Sequence, residues 1–175
     1  MKLFVRKGEY DSQLAAIFIF LSKHSFNGLF RQNSKGEYNT PSNHWTGRST
    51  PESVLLADSE ALKEADILCG DFEDAVRDAG KGDFVFFDSP YAPLKTTSFD
   101  KYMAAGFPKE EHERLACVFR NLDKRGCYCM LTNHDTPLVR NLYKGFRMRT
   151  VPARRSISAD GQKRMGSELI ITNYG

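Results

Sequence analysis

The sequence predicts an α/β fold with a mostly parallel sheet, closed by an antiparallel-looking strand pair. Three observations carry this. Phe84-Val85-Phe86-Phe87 is an apolar run set between Gly82-Asp83 and Asp88-Ser89-Pro90-Tyr91, the pattern of a short strand buried on both faces. Cys127 to Thr132 is a second such run, ending in Asn133-His134-Asp135-Thr136. Between them, residues 108–124 place Leu115, Val118, Phe119 and Leu122 on one side of an amphipathic helix.

The remaining elements follow in order. Tyr10 to His24 reads as a helix with an apolar face, capped by Asp11 or Ser12. Residues 25–41 alternate turn formers, aromatics and basic residues; Asn27-Gly28 marks a turn and Ser34-Lys35-Gly36 a hairpin tip. Pro51 opens a helix reaching about Ala65. Ile67 to Phe72 reads as a short strand ending in a polar turn, and Phe72 to Asp78 as a short helix. Thr136-Pro137 starts a helix to Tyr143. Arg147 to Pro152 is a strand, Arg154 to Arg164 a basic loop, and Glu168 to Thr172 a closing strand.

Composition narrows the class. A chain of 175 residues, 41% hydrophobic and 27% charged, fits one soluble globular domain. The four cysteines (Cys69, Cys117, Cys127, Cys129) form no C-x-x-C pair, so they read as reduced core residues of a cytoplasmic protein, and no metal site is expected. Ile17 to Leu21 is too short to span a bilayer, which excludes a membrane partner. The net charge of +3 is unevenly placed. Residues 1–90 carry ten Lys/Arg against fourteen Asp/Glu, a balance of −4; residues 91–175 carry fifteen against eight, a balance of +7. A basic second half suits a polyanion, nucleic acid first, or else a solvated basic face.

Pro90 cannot continue a central ladder, so the first strand should end near Asp88. A carboxylate, backbone carbonyls and the Tyr91 ring then meet at the C-terminal end of a strand, where open α/β sheets bind ligands. Such a cluster suits an aromatic amine. The lone pair of adenine's exocyclic amine is delocalised into the ring. Asp88 can accept one N–H and a carbonyl of Asp88 or Ser89 the other, which favours a pyramidal nitrogen, while Tyr91 stacks on the base. The same residues also describe an ordinary Asp-Ser-Pro strand end. Likewise, Asn27, Arg31 and Asn33 can read base edges and Phe26 and Phe30 can wedge into a stack, or the segment is a surface hairpin.

Four separated motifs, taken together, resemble the Dam-type (D12 class, α-group) DNA adenine-N6 methyltransferases. They are Asn27-Gly28-Leu29-Phe30-Arg31-x-Asn33-x-x-Gly36-Glu37-Tyr38-Asn39-x-Pro41; Asp88-Ser89-Pro90-Tyr91-Ala92-Pro93-Leu94; Thr132-Asn133-His134-Asp135-Thr136; and Arg154-Arg155-Ser156-Ile157-Ser158. The resemblance runs from about Ala15 to the C-terminus. It implies a partial Rossmann-like methyltransferase sheet with a small helical and hairpin DNA-recognition region: 1–50 for target recognition and 51–175 for catalysis. It implies double-stranded DNA as partner, with methyl transfer from S-adenosylmethionine to a flipped adenine in G-A-T-C. Asp88, Ser89, Pro90 and Tyr91 occupy the family's D-P-P-Y slot, with Ser89 where the family has its first proline. Phe26 and Asn27 match positions that fill the gap left by the base, and Arg31 the arginine that reads a guanine. Lys35, His44 and Trp45 fall where the family touches DNA, and Arg154 and Arg155 near its backbone; Asn33 joins the DNA-binding set on its own base-reading chemistry. Asp71, Phe72 and Asp88 match the cofactor-binding set.

The family's opening Gly-rich cofactor segment has no counterpart in this sequence, and Gly80 and Gly82 precede a strand instead of following one. The expectation is therefore the C-terminal portion of such an enzyme, inactive alone. A bare sheet edge and exposed apolar surface near Phe84 to Phe87 should then recruit a separate N-terminal fragment or a second copy. A DNA-binding module without catalysis, or a structural remnant, are the alternatives; cofactor binding and a DNA shift assay separate them.

Overall fold

A computed structural model describes residues 12–33, 35, 37–43, 50–94, 107–154 and 165–175. The chain divides into two units, Met1–Ile67 and Leu68–Gly175, each taken by itself below.

In the first unit, helix α1 spans Ser12–His24 and leads into a single 3-10 turn at Phe26–Gly28, where Gly28 takes φ 68°. The chain then folds back as a hairpin, with bridges Gln32↔Tyr38 and Ser25↔Ser42. Phe18, Phe30 and Tyr38 stack in a row, with centroids 5.3 and 5.6 Å apart. Helix α2 spans Glu52–Ala61 and is followed by a 3-10 turn at Leu62–Glu64. Pro51 takes the N-cap, one place before the expected first helical position.

The second unit holds helix α3 (Phe72–Ala75), strand β1 (Phe84–Phe87), helix α4 (Lys109–Lys124), strand β2 (Tyr128–His134), helix α5 (Pro137–Leu142) and strands β3 (Arg147–Arg154) and β4 (Met165–Thr172). The sheet order is β1-β2-β4-β3. Strands β1 and β2 are parallel, joined by a crossover through α4, and the other two pairs are antiparallel. The closing pair β3–β4 is antiparallel as expected, and the parallel share is smaller than expected because β4 also lies antiparallel to β2. The starts of β1 and β2 are tied together: Gly82 N–H donates to Gly126 O (3.0 Å) and Tyr128 N–H to Asp83 O (2.7 Å). Gly126 takes φ 81° there, a conformation that suits glycine.

The core lies between α4 and the sheet. Phe119, fully buried, meets Phe146, Tyr143 and Phe87 at 4.9, 5.3 and 6.3 Å, and Leu115, Leu122, Leu131 and Ile171 close around it. The Thr136 side chain caps α5 by accepting from Val139 N–H.

Three expectations are corrected. Strand β1 is not buried on both faces: Phe87 is buried, but Phe84 and Phe86 are 58% and 50% exposed. Among the described residues β1 pairs only with β2, so it is an edge strand whose second face is uncovered. Residues 66–69 form no strand, and Ile67 and Leu68 are about three quarters exposed. Backbone groups need a ladder to make a strand, and no described strand pairs with them. Of the cysteines, Cys127 and Cys129 are core residues, whereas Cys69 and Cys117 are exposed; all four are free thiols. No described helix is long and apolar enough to cross a membrane, and no described cluster of His, Cys, Asp and Glu could hold a metal.

Candidate active site

Parallel pairing of β1 with β2, with Phe87 opposite Leu131, brings the ends of both strands together. Asp88 leaves β1 just as Thr132, Asn133 and His134 finish β2. Alternation along β2 then sorts these three. Asn133 shares the buried parity with Cys129 and Leu131, and Thr132 and His134 take the other face.

Asp88 is exposed, makes no ion pair among the described residues, and accepts a hydrogen bond from Thr132 Oγ1 at 3.2 Å. A carboxylate oxygen has capacity beyond one donor, so Asp88 retains acceptor sites for a ligand N–H. Tyr91 is half-buried, with its ring edge-on to His134 at a centroid distance of 4.9 Å and 83°. Its hydroxyl is pushed above the usual tyrosine value, by burial first; its contact with Thr132 opposes this, and Glu168, through its charge and a hydrogen bond, and the charge of Asp88 reinforce it. Tyr91 is therefore a neutral ring near neutral pH. Ser89 is half-buried and Pro90 exposed. Asp135, next along, is held below the usual carboxylate range by its two-pronged pair with Arg140 (2.6 and 2.7 Å).

Asp71 and Phe72 lie elsewhere in the unit, in an open cavity of about 590 Å³ also lined by Phe107, Glu111 and Arg114. Both Asp71 oxygens accept from Arg114 (2.7 and 2.8 Å), and one also caps α3 through Glu73 N–H (2.9 Å). These bonds, Arg114's foremost, hold the Asp71 carboxyl down at about 2. The Arg114 guanidinium also sits 4.0 Å above the Phe72 ring. An aromatic platform beside carboxylate acceptors suits a purine carrying an exocyclic amine. Arg114 already covers that platform, so a ligand there has to share it or displace it.

In the first unit, Arg31 is braced by Asn39: Nε–H donates to the side-chain oxygen (2.9 Å) and Nη2–H to the carbonyl (3.0 Å). Among the described residues nothing else is bonded to the Nη1–Nη2 edge of the guanidinium. Asn33 turns inward: its Oδ1 accepts the N–H groups of Lys35 and Glu37, and its Nδ2 donates to Glu37. The Phe26 ring is about half exposed. The side chains of Asn27 and Arg154, and His44, Trp45 and Arg155 altogether, lie outside the described residues.

The family model described as D12 class N6 adenine-specific DNA methyltransferase matches residues 3–157. The chain belongs to this family. It is 40% identical over 97% of its length to the type II methyltransferase M1.LlaDCHI of Lactococcus lactis subsp. cremoris, covering 63% of that protein. It is 43% identical over 91% of its length to M.MjaIII of Methanocaldococcus jannaschii, covering 57% of it. It is 32% identical over 96% of its length to the DNA adenine methylase of Escherichia coli K12, covering 61% of it. The chain thus spans about three fifths of the length of these relatives.

Thr132, His134 and Glu168 carry no signal of their own in the sequence, although the first two stand within Thr132-Asn133-His134-Asp135-Thr136. Arg114 was missed as well. Its signal was the Glu111–Arg114 spacing on a helix, but its contact with Asp71 lies 43 residues away in sequence and had none.

Proposed function

We propose that this chain carries the adenine-holding and DNA-reading parts of a DNA adenine-N6 methyltransferase, acting on double-stranded DNA at G-A-T-C. The observation that carries the reading is the meeting of Asp88, Tyr91 and Thr132 at the ends of two parallel strands, in a chain of this family. Thr132 fixes one oxygen of Asp88, so the carboxylate presents its remaining acceptor capacity to the amine of an extruded adenine. The carbonyl of Asp88 or Ser89 accepts the second N–H. Withdrawing both protons toward oxygen pulls the nitrogen lone pair out of the ring. Tyr91, held neutral and edge-on to His134, supplies the flat face.

S-adenosylmethionine, when bound, supplies a methyl group on a sulfonium. Phe72 and Asp71 suit its adenine end, by ring stacking and by accepting from the amine. Asp88 would complete the cofactor-binding set and hold the amine that receives the methyl group.

In the first unit, the free Arg31 edge can take guanine O6 and N7 as a fork. Phe26 and Asn27 would fill the space left by the base, and Lys35, His44 and Trp45 would add DNA contacts. Arg154 and Arg155 would act on phosphates, positioning without reading sequence. The outer edge of β1, with Phe84 and Phe86 exposed, would take a further strand, either from a separate N-terminal segment or from a second copy.

The test is permanganate reactivity of the thymine opposite the target adenine of G-A-T-C, which leaves the adenine amine in place. That thymine should become reactive on binding, as its partner leaves the stack, and should stay unreactive in a scrambled duplex. Equal signals from both, or none from either, would defeat the reading.

A further inference from the structure

We propose that Asn133 and His134 are positioning residues that clamp the loop carrying Ser89 and Tyr91, standing in for the ring stiffness that a proline would give position 89. This rests on the base-holding role proposed above.

The geometry is two-sided. Asn133 Oδ1 accepts from the Ala92 N–H at 2.8 Å, and His134 Nδ1 lies 2.8 Å from the Ala92 carbonyl. A carbonyl can only accept, so Nδ1 carries the proton. Both backbone polar groups of Ala92, its N–H and its carbonyl, are thereby held by neighbouring residues of one strand. Ala92 is fully buried and Asn133 is 1% exposed, so the first bond forms away from competing water. Asn133 Nδ2 points its donor at Ser89 Oγ, 3.4 Å away, at the other end of the loop. One buried amide therefore reaches both sides of Pro90 and Tyr91. His134 adds the edge contact to the Tyr91 ring, so the residue that holds Ala92 also sets the plane of its neighbour.

The chemistry requires this. A base is held at an attack angle only if the accepting carbonyl and the stacking ring stay fixed relative to Asp88. A Pro-Pro pair limits two successive φ angles, whereas Ser-Pro limits one. Serine restores the constraint only when its hydroxyl and the following peptide are bonded to something rigid, and β2, central in the sheet, is rigid.

The experiment uses the full chain. Amide exchange followed by NMR reads the Ala92 N–H. Anisotropy titration reads preference for adenine over purine, which lacks the amine, at the target position of a G-A-T-C duplex. Asn133→Ala should speed Ala92 exchange about tenfold or more with β4 amides unchanged, the effect of losing one buried hydrogen bond. The same variant should reduce the adenine preference about tenfold while affinity for the purine duplex stays within about twofold. Adding Ser89→Pro should recover much of that preference. His134→Phe, which keeps a ring against Tyr91, should lose part of it. If Asn133→Ala does not fold, Ser89→Ala and Ser89→Pro carry the comparison: alanine should lower the preference and proline keep it. Unchanged Ala92 exchange in Asn133→Ala, or in the fallback a Ser89→Ala preference equal to wild type, overturns the clamp. So does failure of Ser89→Pro to restore or hold the preference. A wild-type chain with no adenine preference defeats the base-holding reading instead, and the exchange result stands apart from it.

Discussion

Consider Asp88 and the amine it is proposed to hold. The perturbation is a cycle: Asp88→Ala in the protein, adenine→purine in the DNA. Asp88→Ala removes the acceptor of one hydrogen bond and purine removes the donors of both, so the cycle isolates the Asp88 pair from the carbonyl bond and from the differing ease of extruding the two bases. A hydrogen bond to a charged group contributes about 1.5–3 kcal/mol. Asp88 is exposed and already bonded to Thr132, which places the expected coupling at the lower end, about 1.5 kcal/mol or roughly tenfold in relative affinity. Asp88→Asn keeps an oxygen acceptor without the charge, so it should retain about half of that energy, since charge-assisted bonds are about twice as strong as neutral ones. The assay is anisotropy titration of two proteins against two duplexes at fixed salt. Denaturation midpoints should not move, because an exposed side chain with one side-chain partner is removed. Coupling below about 0.3 kcal/mol, the range expected of independent sites, would refute the contact.

Other perturbations have equally definite outcomes. Arg31→Ala should cost about 1–3 kcal/mol at one guanine and relax discrimination there. Asn39→Ala should cost about 0.5–1.5 kcal/mol at that same base by loosening the brace; an equal loss on scrambled DNA would contradict both. The Asp71 carboxyl, followed by carbon NMR, should titrate near 2, and Arg114→Gln should return it toward 3.8. A depressed folded value means that the stabilisation is present above the unfolded value of about 3.8 and is lost as pH falls toward 2, so the pair should survive at pH 3. An unmoved midpoint in the variant would show that Arg114 is not the cause. Phe119→Ala should lower unfolding free energy by about 3–5 kcal/mol in a urea titration, because a fully buried ring is lost from the centre of the core; a change below about 1 kcal/mol would mean the core is organised around something else.

Strand-end placement was legible in the sequence wherever a short run met a specific stop. Pro90 ended β1, and Thr136-Pro137 started α5, because a missing N–H and a capping hydroxyl act locally. The apolar face of α4 was legible through its period. Burial of β1 was not, since four apolar residues in a row look alike at the centre and at the edge of a sheet, and only neighbours decide. Residues 67–69 show the same thing from the other side: they have strand composition, but no described strand pairs with them. Asn33 has the chemistry to read a base and the equal chemistry to close its own turn, and the turn was nearer. Arg114, Glu168 and the two-sided hold on Ala92 come from distant segments, so no window of sequence contained them.

The alternation of β2 has a consequence for how this site tolerates change in chain length. Thr132 and His134 face one way and Asn133 the other, and all three are set by counting from Tyr128. Inserting one residue into the Arg125-Gly126-Cys127 turn would reverse that parity, turning Asn133 out and driving Thr132 and His134 into the core. Inserting two residues would keep the parity but slide the trio past Asp88 by about 6.6 Å, at 3.3 Å per residue. That turn is therefore the ruler of the site, although it touches none of it: a change that preserves its length, the left-handed Gly126 and the buried Cys127 leaves the site in phase, and no insertion of one or two residues does.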